Sequence, residues 1–403
     1  MKDLIIAHAT IVPMIDGSCY LEDGALYISK GRIIAVDKTE EILKKFSGKV
    51  IELDGNLVMP PFLNAHHHLY QTGIGKAGPE DALIDWLRCT LFCEESLLDE
   101  RIVYSNAVAD SESFLRSGVG YLVLQESNLF YKHILKAMEV CKIKSLVGRY
   151  CGDNDAILPE PLCESPEETL KEIRHYRRKF RHNNSIQISL SPRFLPAVTC
   201  TFLEYLKNHI SEVGPFLQIH FNESKAEIRL AKQVHGKDPI RILEEYGILR
   251  SDTILPHCVY LEKEELRLIL EKRPIITTSP TTNLKLSGAV APILAYLANG
   301  LRVGLGLDSF ATSDSSGYFE ELYALPTITG KSPEVLIPKL LISSARLAYE
   351  IFGGGIIMPH SFADIIIFNA KPRDPWNYIV RNLNPNDIHS MVLNGEIIYE
   401  TCS

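Results

Sequence analysis

The sequence predicts an α/β fold in which a (β/α)8 TIM barrel is joined to a small β-sandwich domain formed by both chain ends. Three observations predict this architecture. Eight short β-branched runs alternate with helix-like stretches through the middle of the chain, a pattern typical of a parallel sheet closed into a barrel. Both chain ends are rich in strand patterns instead. The chain has 403 residues and 46% hydrophobic content, which is enough for one barrel and a smaller domain.

The chain ends consist of short alternating segments bounded by turn residues. Near the N-terminus these are DLIIAHATIV, then GALYISKGRIIAV with a turn at Lys30 and Gly31, then KVIELDG. The last zone contains ADIIIFN and HSMVLNGEIIYE, with a hairpin turn at Asn394 and Gly395. We therefore predict the two parts of the sandwich at 1–58 and 361–403, with the barrel at 59–360.

The barrel strands are predicted from the β-branched runs, and the helices from the polar stretches between them, such as LEKEELRLILEKR. The eight runs lie near 62–66, 119–125, 143–149, 186–191, 216–220, 253–257, 274–278 and 302–307. Barrel enzymes carry their chemistry at the C-terminal ends of the strands. The residues that follow each run are therefore the candidates for a functional site.

Residues that can bind a metal follow four of these runs. They are His66, His67 and His68 after the first run, His220 after the fifth, His257 after the sixth and Asp308 after the eighth. Side chains alternate along an extended segment, so His66 and His68 share a face and His67 points away into packing. We predict that His66 and His68 bind a metal together with His220 and Asp308. His257 is either a further ligand or a group that orients the attacking water.

The types of ligand and their neighbours indicate the metal and its use. Imidazoles with one carboxylate and no thiolate suit one Zn²⁺ per chain, and Fe²⁺ fits the same set. Such an ion lowers the pKa of bound water to ~7, and Glu223 is placed to move the proton of that water. The fourth run ends in Ser191, Pro192 and Arg193, without the acid or carboxylated lysine that would bridge two ions. A single metal is therefore expected.

Composition excludes several classes of partner. The net charge of −8 argues against nucleic acid and against an anionic membrane surface. No apolar run reaches the ~20 residues that span a bilayer, and the N-terminus lacks a signal-peptide pattern. The nine cysteines form no CxxC pair, so a reduced, cytoplasmic protein is expected. A thiol hydrolase built on Cys258 is disfavoured, because adjacent residues His257 and Cys258 would face opposite ways.

The ordered motifs MPPFLNAHHHL, IHFNE, PHC and GLD, framed by two β-rich ends, resemble the amidohydrolase superfamily. The branch that they resemble includes cytosine, adenosine-type and guanine deaminases and the triazine chlorohydrolases. Within it, Gln71, the Pro-Arg-Phe at 192–194 and HFNES at 220–224 are similar to guanine deaminase. The resemblance implies zinc on His66, His68, His220 and Asp308, with Glu223 as proton shuttle and His257 near the hydroxide.

The same resemblance implies a purine site made by Gln71, Arg193 and Phe194, with His220 also at the substrate. Arg193 would donate a forked pair of hydrogen bonds to O6 and N7, Gln71 would bind the opposite edge, and Phe194 would cover the ring. The main expectation is therefore an enzyme that converts guanine, a small molecule, to xanthine and ammonia. Relatives are often homodimers, but the sequence itself does not give the oligomeric state.

Three other interpretations stay open at the level of sequence. The motif HHHLYQT is similar to deaminases of 8-oxoguanine and hydroxytriazines, so the substrate could instead be 8-oxoguanine, a pterin, a methylthioadenosine-type adenosine or a triazine. The second interpretation is a triazine chlorohydrolase, which would release chloride from the ring instead of ammonia. A non-enzymatic scaffold is the third interpretation, and it is disfavoured because the full set of candidate ligands is present.

Overall fold

The computed structural model describes residues 3–78, 83–313 and 317–401, so the outermost residues of the two predicted sandwich parts lie outside the described ranges. The strands of these ranges are, in chain order, β1 (Leu4–Ile11), β2 (Leu21–Ser29), β3 (Arg32–Lys38), β4 (Lys49–Glu52), β5 (Leu57–Met59), β6 (Phe62–His67), β7 (Val119–Glu126), β8 (Lys144–Cys151), β9 (Ile186–Pro192), β10 (Leu217–Gln218), β11 (Thr253–Pro256), β12 (Ile275–Thr278), β13 (Arg302–Leu305), β14 (Ile365–Phe368), β15 (Ile388–Leu393) and β16 (Glu396–Glu400).

The helices of the described ranges are α1 (Thr39–Lys45), α2 (Leu83–Trp86), α3 (Phe92–Glu95), α4 (Glu100–Arg116), α5 (Tyr131–Cys141), α6 (Pro166–Phe180), α7 (Cys200–Asn208), α8 (Ile210–Val213), α9 (Lys225–His235), α10 (Pro239–Glu245), α11 (Lys263–Lys272), α12 (Pro280–Ser287), α13 (Ile293–Ala298), α14 (Tyr318–Thr329), α15 (Pro333–Phe352) and α16 (Pro375–Arg381). A π-helical turn, Leu87–Leu91, connects α2 to α3.

Local sequence explains where these helices begin. Ser165 caps α6 in a capping box with Glu168, and Pro166 occupies the first helical position, where its missing N–H costs nothing. The hydroxyl of Thr199 caps α7 by accepting from the backbone N–H of Phe202. Helix α1 lies in a zone where the sequence indicated only strands. Its acidic first turn and basic last turn complement the helix dipole and explain why this short segment is helical.

The two chain ends meet in one mixed sheet, as expected for a β domain formed by both ends. The strand order is β16-β15-β14-β5-β1-β2-β3, and β4 pairs with β1. The sheet is continuous because β14 from the C-terminal end pairs antiparallel with β5. Strands from both ends bury a shared apolar cluster, which includes Ile6, Leu26, Val58 and Ile365. The arrangement of these strands in two stacked layers stays a prediction.

The eight predicted runs form eight parallel strands in barrel order. Strands β6 to β9 form one parallel sheet and β10 to β13 form another. Parallel bridges between Phe194 and His220 and between His67 and Asp308 join the two sheets at both seams. The α/β barrel is thereby closed. The domain limits at 58/59 and 360/361 stay predictions, with β5 ending at Met59 and β14 beginning at Ile365.

Small residues allow the last strand to approach the first at the seam that carries the site. A Cβ at Gly306 would lie 2.7 Å from Cβ of His66, and a Cβ at Gly304 would lie 2.5 Å from that of Ala65. The amide of Asp308 donates to the carbonyl of His66 at 2.9 Å. The backbone after β13 therefore comes close enough to β6 for the side chains of both strand ends to meet. No helix in the described ranges is long and apolar enough to cross a bilayer.

Candidate metal and substrate site

Four of the predicted ligand side chains converge at the C-terminal ends of the barrel strands. Nε2 of His66 lies 3.4 Å from Oδ1 of Asp308, and Nε2 of His68 lies 3.2 Å from the same oxygen. Nε2 of His220 lies 3.3 Å from Nε2 of His68. His257 also belongs to this group, because one of its ring nitrogens lies within 4.8 Å of a ring nitrogen of His66 and of His220. The side chains come from β6, the ends of β10 and β11, and the segment after β13, as the strand-end argument predicts.

The hydrogen bonds of two histidines fix which ring nitrogen is free. Nδ1 of His68 donates to the carbonyl of Gln125 at 2.6 Å, and Nδ1 of His220 donates to the carbonyl of Arg193 at 2.6 Å. A neutral imidazole carries one N–H, so both Nε2 atoms present lone pairs. Two lone pairs 3.3 Å apart, beside a carboxylate oxygen, repel each other unless a cation lies among them. The donor set therefore fits a divalent metal ion, and nitrogen and carboxylate donors without thiolate suit Zn²⁺.

The electrostatics keep these ligands in the metal-binding form. Burial lowers the pKa of His66 to about 4 and that of His220 well below its usual value, so both rings are neutral at physiological pH. Burial alone would favour the neutral acid at Asp308, but the adjacent rings of His66 and His68 hold its pKa well below the ordinary range. Neutral imidazoles and an ionised carboxylate are the forms that a metal binds.

Backbone strain is concentrated at two of these positions. His257 has a φ of 74° and Asp308 has a φ of 62°, so both occupy the left-handed region that non-glycine residues rarely adopt. The surrounding hydrogen bonds hold this conformation, since the amide of His257 donates to the carbonyl of Thr277 at 2.7 Å. Strain of this kind persists where surrounding structure fixes it, and it turns both side chains toward the common centre.

His67 occupies the other side of the strand. Its ring packs edge-on against Phe114 and Phe310, with centroids 4.9 and 5.3 Å away. Burial lowers its pKa to about 3, so it is a neutral packing residue. The alternation argument applied to the three consecutive histidines therefore describes their placement. Cys258 is also buried, and burial raises the pKa of its thiol well above the ordinary value, which leaves no basis for a thiol nucleophile there.

Glu223 and His257 face each other beside the ligands. Oε2 of Glu223 lies 3.6 Å from Nε2 of His257. Burial raises the pKa of Glu223 well above its ordinary value, and the charges of Asp308 and Glu227 add to the effect, so this carboxyl can carry a proton at neutral pH. The side-chain amide of Asn283 donates to Nδ1 of His257 at 2.9 Å. That bond leaves Nε2 of His257 as an N–H donor directed toward Glu223.

A pocket opens directly above this centre. It encloses about 470 Å³ of space free of protein atoms, part of it open to solvent. One wall is apolar and includes Leu83, Trp86 and Leu91. The rest of the lining includes residues that the sequence singled out, namely Gln71, Arg193, Phe194, His220, Glu223, His257 and Asp308. The mixed lining suits a small heterocyclic ligand.

Arg193 reaches the pocket but is already bound to protein groups. Its Nη1 lies 3.0 Å from Oε2 of Glu95, and its Nη2 donates to the hydroxyl of Tyr70 at 2.8 Å. The guanidinium lies between the rings of Phe92 and Tyr150, 4.7 and 4.6 Å from their centroids. Each terminal nitrogen thus has a protein partner, and these contacts fix the orientation of Arg193. They do not use all five N–H groups of the guanidinium, so donors remain for a ligand.

Gln71 keeps one free polar atom. Its Nε2 donates to the hydroxyl of Tyr70 at 3.1 Å, and its buried Oε1 has no hydrogen-bond partner in the described part of the chain. A buried acceptor without a partner is costly, so a ligand N–H at this edge would stabilise it.

Sequence reasoning missed several residues that build the site. Glu126, at the end of β7, accepts from the backbone amides of Leu69 and Tyr70 at 2.8 and 3.1 Å and so fixes the turn that carries Gln71. It follows a predicted strand, and the strand-end rule could have found it. Glu95 gave no comparable signal, because it lies on the short helix α3.

Two further hydrogen bonds orient residues of the site. Oε2 of Glu227 accepts from the backbone amide of Glu223 at 2.7 Å, and burial raises the pKa of Glu227 to about 7. The hydroxyl of Thr312 donates to Oδ2 of Asp308 at 2.9 Å and so orients that carboxylate. Each of these residues lies four positions after the residue that it orients, a spacing that carried no distinct signal in the sequence.

Comparison with known proteins identifies one family and several similar deaminases. The profile of the amidohydrolase family matches residues 57–398. A 5-methylthioadenosine/S-adenosylhomocysteine deaminase from Caldicellulosiruptor saccharolyticus is 25% identical over 417 residues, covering 98% of this chain and 93% of the relative. The guanine deaminase of E. coli superposes with a TM-score of 0.86 at 17% identity, over 100% of both chains. An adenosine deaminase from Xanthomonas campestris with bound zinc superposes with a TM-score of 0.85 at 20% identity, over 98% of this chain and 92% of the other.

Proposed function

This chain belongs to the amidohydrolase family, and from that premise we propose that it deaminates a 6-aminopurine nucleoside of the 5-methylthioadenosine type. It is a metal-dependent amidohydrolase that acts on the C–N bond of an aminated heterocycle. The finer assignment, to an adenosine-type substrate, replaces guanine as the leading candidate. The relatives that match 98% of the chain at about 25% identity support that order.

The orientation of Arg193 is the observation in the structure that favours this choice. In a guanine site the guanidinium would donate to O6 and N7. Here Nη1 is directed to Glu95 and Nη2 to Tyr70, and the partner carboxylate neutralises the charge, so binding of O6 and N7 would rely on the remaining N–H groups. A 6-aminopurine carries no O6, so its binding makes no demand on these donors.

The residues around the centre account for a hydrolytic deamination. His66, His68, His220 and Asp308 would hold one Zn²⁺, which when bound lowers the pKa of a water molecule to ~7. Glu223 takes a proton from the water that attacks the ring carbon bearing the amine, and it gives this proton to the neighbouring ring nitrogen. It then moves the proton of the new C–OH group to the amine, so the C–N bond breaks, ammonia leaves and a ring carbonyl remains. His257 donates from Nε2 toward the same point, in an orientation set by Asn283. Phe194 and the apolar wall exclude water from the ring.

A second candidate, guanine, is supported by Gln71. The buried Oε1 of Gln71 accepts no hydrogen bond from the described residues, and it could accept an N–H from a purine ring. Guanine has ring N–H groups, whereas a nucleoside of adenine has none. Phe194 and Arg193 also line the pocket, as the guanine hypothesis requires.

An ammonia-release screen of zinc-loaded protein decides between the two. The substrates are 5-methylthioadenosine, S-adenosylhomocysteine, adenosine, guanine, 8-oxoguanine, a pterin and an aminotriazine. We expect the highest kcat/KM with a thioether adenosine, and loss of activity with a metal chelator that returns on adding zinc. Turnover of guanine or 8-oxoguanine without turnover of any adenosine derivative would overturn the assignment and reinstate the second candidate.

A further inference from the structure

A groove at the opposite end of the barrel carries a concentrated positive charge that the deaminase site does not use. It has a volume of about 790 Å³ and is lined by residues at the beginning of β9, by Pro215 before β10 and by the end of α15. The metal ligands lie instead at the ends of the strands. The groove is therefore separate from the substrate pocket.

The charge comes from one face of helix α6. Residues 174–182, RHYRRKFRH, contain five lysines and arginines and no acid, in a chain of net charge −8. Four arginines at spacing i, i+3, i+4 and i+7 lie on one side of the helix and line the groove, namely Arg174, Arg177, Arg178 and Arg181. Seven residues of helix span ~10 Å, so the arginines form a short stripe.

The stripe is only partly neutralised. Arg174 pairs with Glu212, the one carboxylate among the lining residues, with Nε 2.5 Å from Oε2. Within the described ranges, Arg177, Arg178 and Arg181 form no ion pair with a carboxylate, and the Nε of Arg181 donates to His182 at 3.0 Å. Basic residues are favourable in the last turn of a helix, but like charges at i, i+4 repel. The helix dipole therefore explains the basic residues in the last turn of α6, but it does not explain the whole row of four arginines.

One arginine is held in place for binding. Nη1 of Arg177 donates to the carbonyl of Glu212 at 2.7 Å, and its guanidinium lies against Gly214, where a Cβ would be 2.3 Å from Cζ. Gly214 also has a φ of +88°, so a side chain is disfavoured there on both grounds. The groove floor is apolar, with buried Phe180, Ile188 and Phe352. A fixed guanidinium beside two exposed ones matches the geometry of phosphate recognition.

We propose that this groove binds a small organic molecule carrying at least two phosphate groups. The ~10 Å stripe matches two or three phosphates, and the apolar floor accommodates the organic part. The negative charge of the rest of the chain disfavours a long polyanion such as nucleic acid, which would extend beyond the groove.

The test titrates zinc-loaded full-length protein with fructose 1,6-bisphosphate by calorimetry at low and moderate salt. We expect binding that weakens with salt, and a rise in melting temperature on adding the ligand. The double variant Arg178→Gln/Arg181→Gln should bind at least tenfold more weakly while retaining deaminase activity, because neither residue contacts the catalytic pocket. The matched control, Lys44→Gln/Lys45→Gln on the exposed helix α1, should bind like the wild-type protein.

Three outcomes would overturn the proposal. They are the absence of binding to the wild-type protein at low salt, equal binding by the double arginine variant, and tighter binding of a single-stranded oligonucleotide than of the bisphosphate. The last outcome would assign the groove to nucleic acid. Because deaminase activity is measured in the same preparations, failure of this proposal is separable from failure of the deaminase assignment.

Discussion

Glu95→Gln tests whether Arg193 depends on its buried partner. Glu95 is fully buried and Arg193 is 5% exposed, with their charged atoms 3.0 Å apart. Removing one partner of a buried pair costs about 3–5 kcal/mol, because the other charge stays buried without compensation. Arg193 would retain the hydroxyl of Tyr70 and the faces of Phe92 and Tyr150, and cation–π contacts contribute up to about 2 kcal/mol when desolvated. We therefore expect a loss of about 2–4 kcal/mol in the free energy of unfolding.

The assay is urea denaturation of the zinc-loaded variants, followed by the double variant Glu95→Gln/Arg193→Met. If the cost comes from an unpaired guanidinium, the double variant will be more stable than the sum of the two single changes, with a coupling energy of about 2 kcal/mol. The matched control is Glu244→Gln, which breaks the exposed pair with Arg241 and should leave stability unchanged. A Glu95→Gln protein within about 1 kcal/mol of the wild-type protein, with additive effects in the double variant, would refute the reasoning.

Three other outcomes are expected. His68→Asn should abolish stoichiometric zinc while its neighbour His67→Phe retains it, as measured by elemental analysis of folded protein; equal zinc contents would contradict the predicted ligand set. Glu223→Gln should lower kcat by about 10²–10⁴-fold with zinc retained, and a change below threefold would remove Glu223 from proton transfer. Burial raises the pKa of Asp110 from 3.8 to about 6, and this shift outweighs the hydrogen bond from Thr72. The folded state therefore holds the proton more tightly, and the contribution of Asp110 to stability is full below pH 3.8 and is lost as pH rises through 6. Asp110→Asn should stabilise the protein by about 1–3 kcal/mol at pH 8, and the gain should vanish near pH 4; denaturation at both pH values checks this, and a gain that is independent of pH would contradict it.

The barrel and its strand ends were predictable because they follow from two regular patterns. Alternation of β-branched runs with helical stretches gives the eight parallel strands, and the carboxyl ends of such strands meet at one rim. The period of two along an extended segment then separates His66 and His68 from His67. These inferences need only the positions of residues in the chain, and the structure places the side chains accordingly.

The strand order of the terminal sheet was harder to predict from the sequence. The hairpins at Lys30–Gly31 and Asn394–Gly395 followed from turn residues, and both occur. The strand order of this sheet depends on pairing between β5 and β14, which are about 300 residues apart. No local pattern specifies such a pairing, so the sequence indicated a shared β domain without giving its strand order.

The same limit applies to the predicted substrate-binding side chains, because their contacts depend on residues that are distant in the chain. The sequence indicated Arg193 as a substrate-binding residue, and the structure places it in the lining of the cavity; its contact with a substrate stays a prediction. Its capacity to read a purine edge depends on which donors are already used, and that is set by Glu95, 98 residues away along the chain. An arginine held by a carboxylate and a tyrosine is fixed in orientation and neutralised in charge, and only its remaining N–H groups can bind an O6 acceptor. The identity of the substrate thus depends on where Glu95 directs those groups, and stability and turnover of the Glu95→Gln protein measure how strongly it does so.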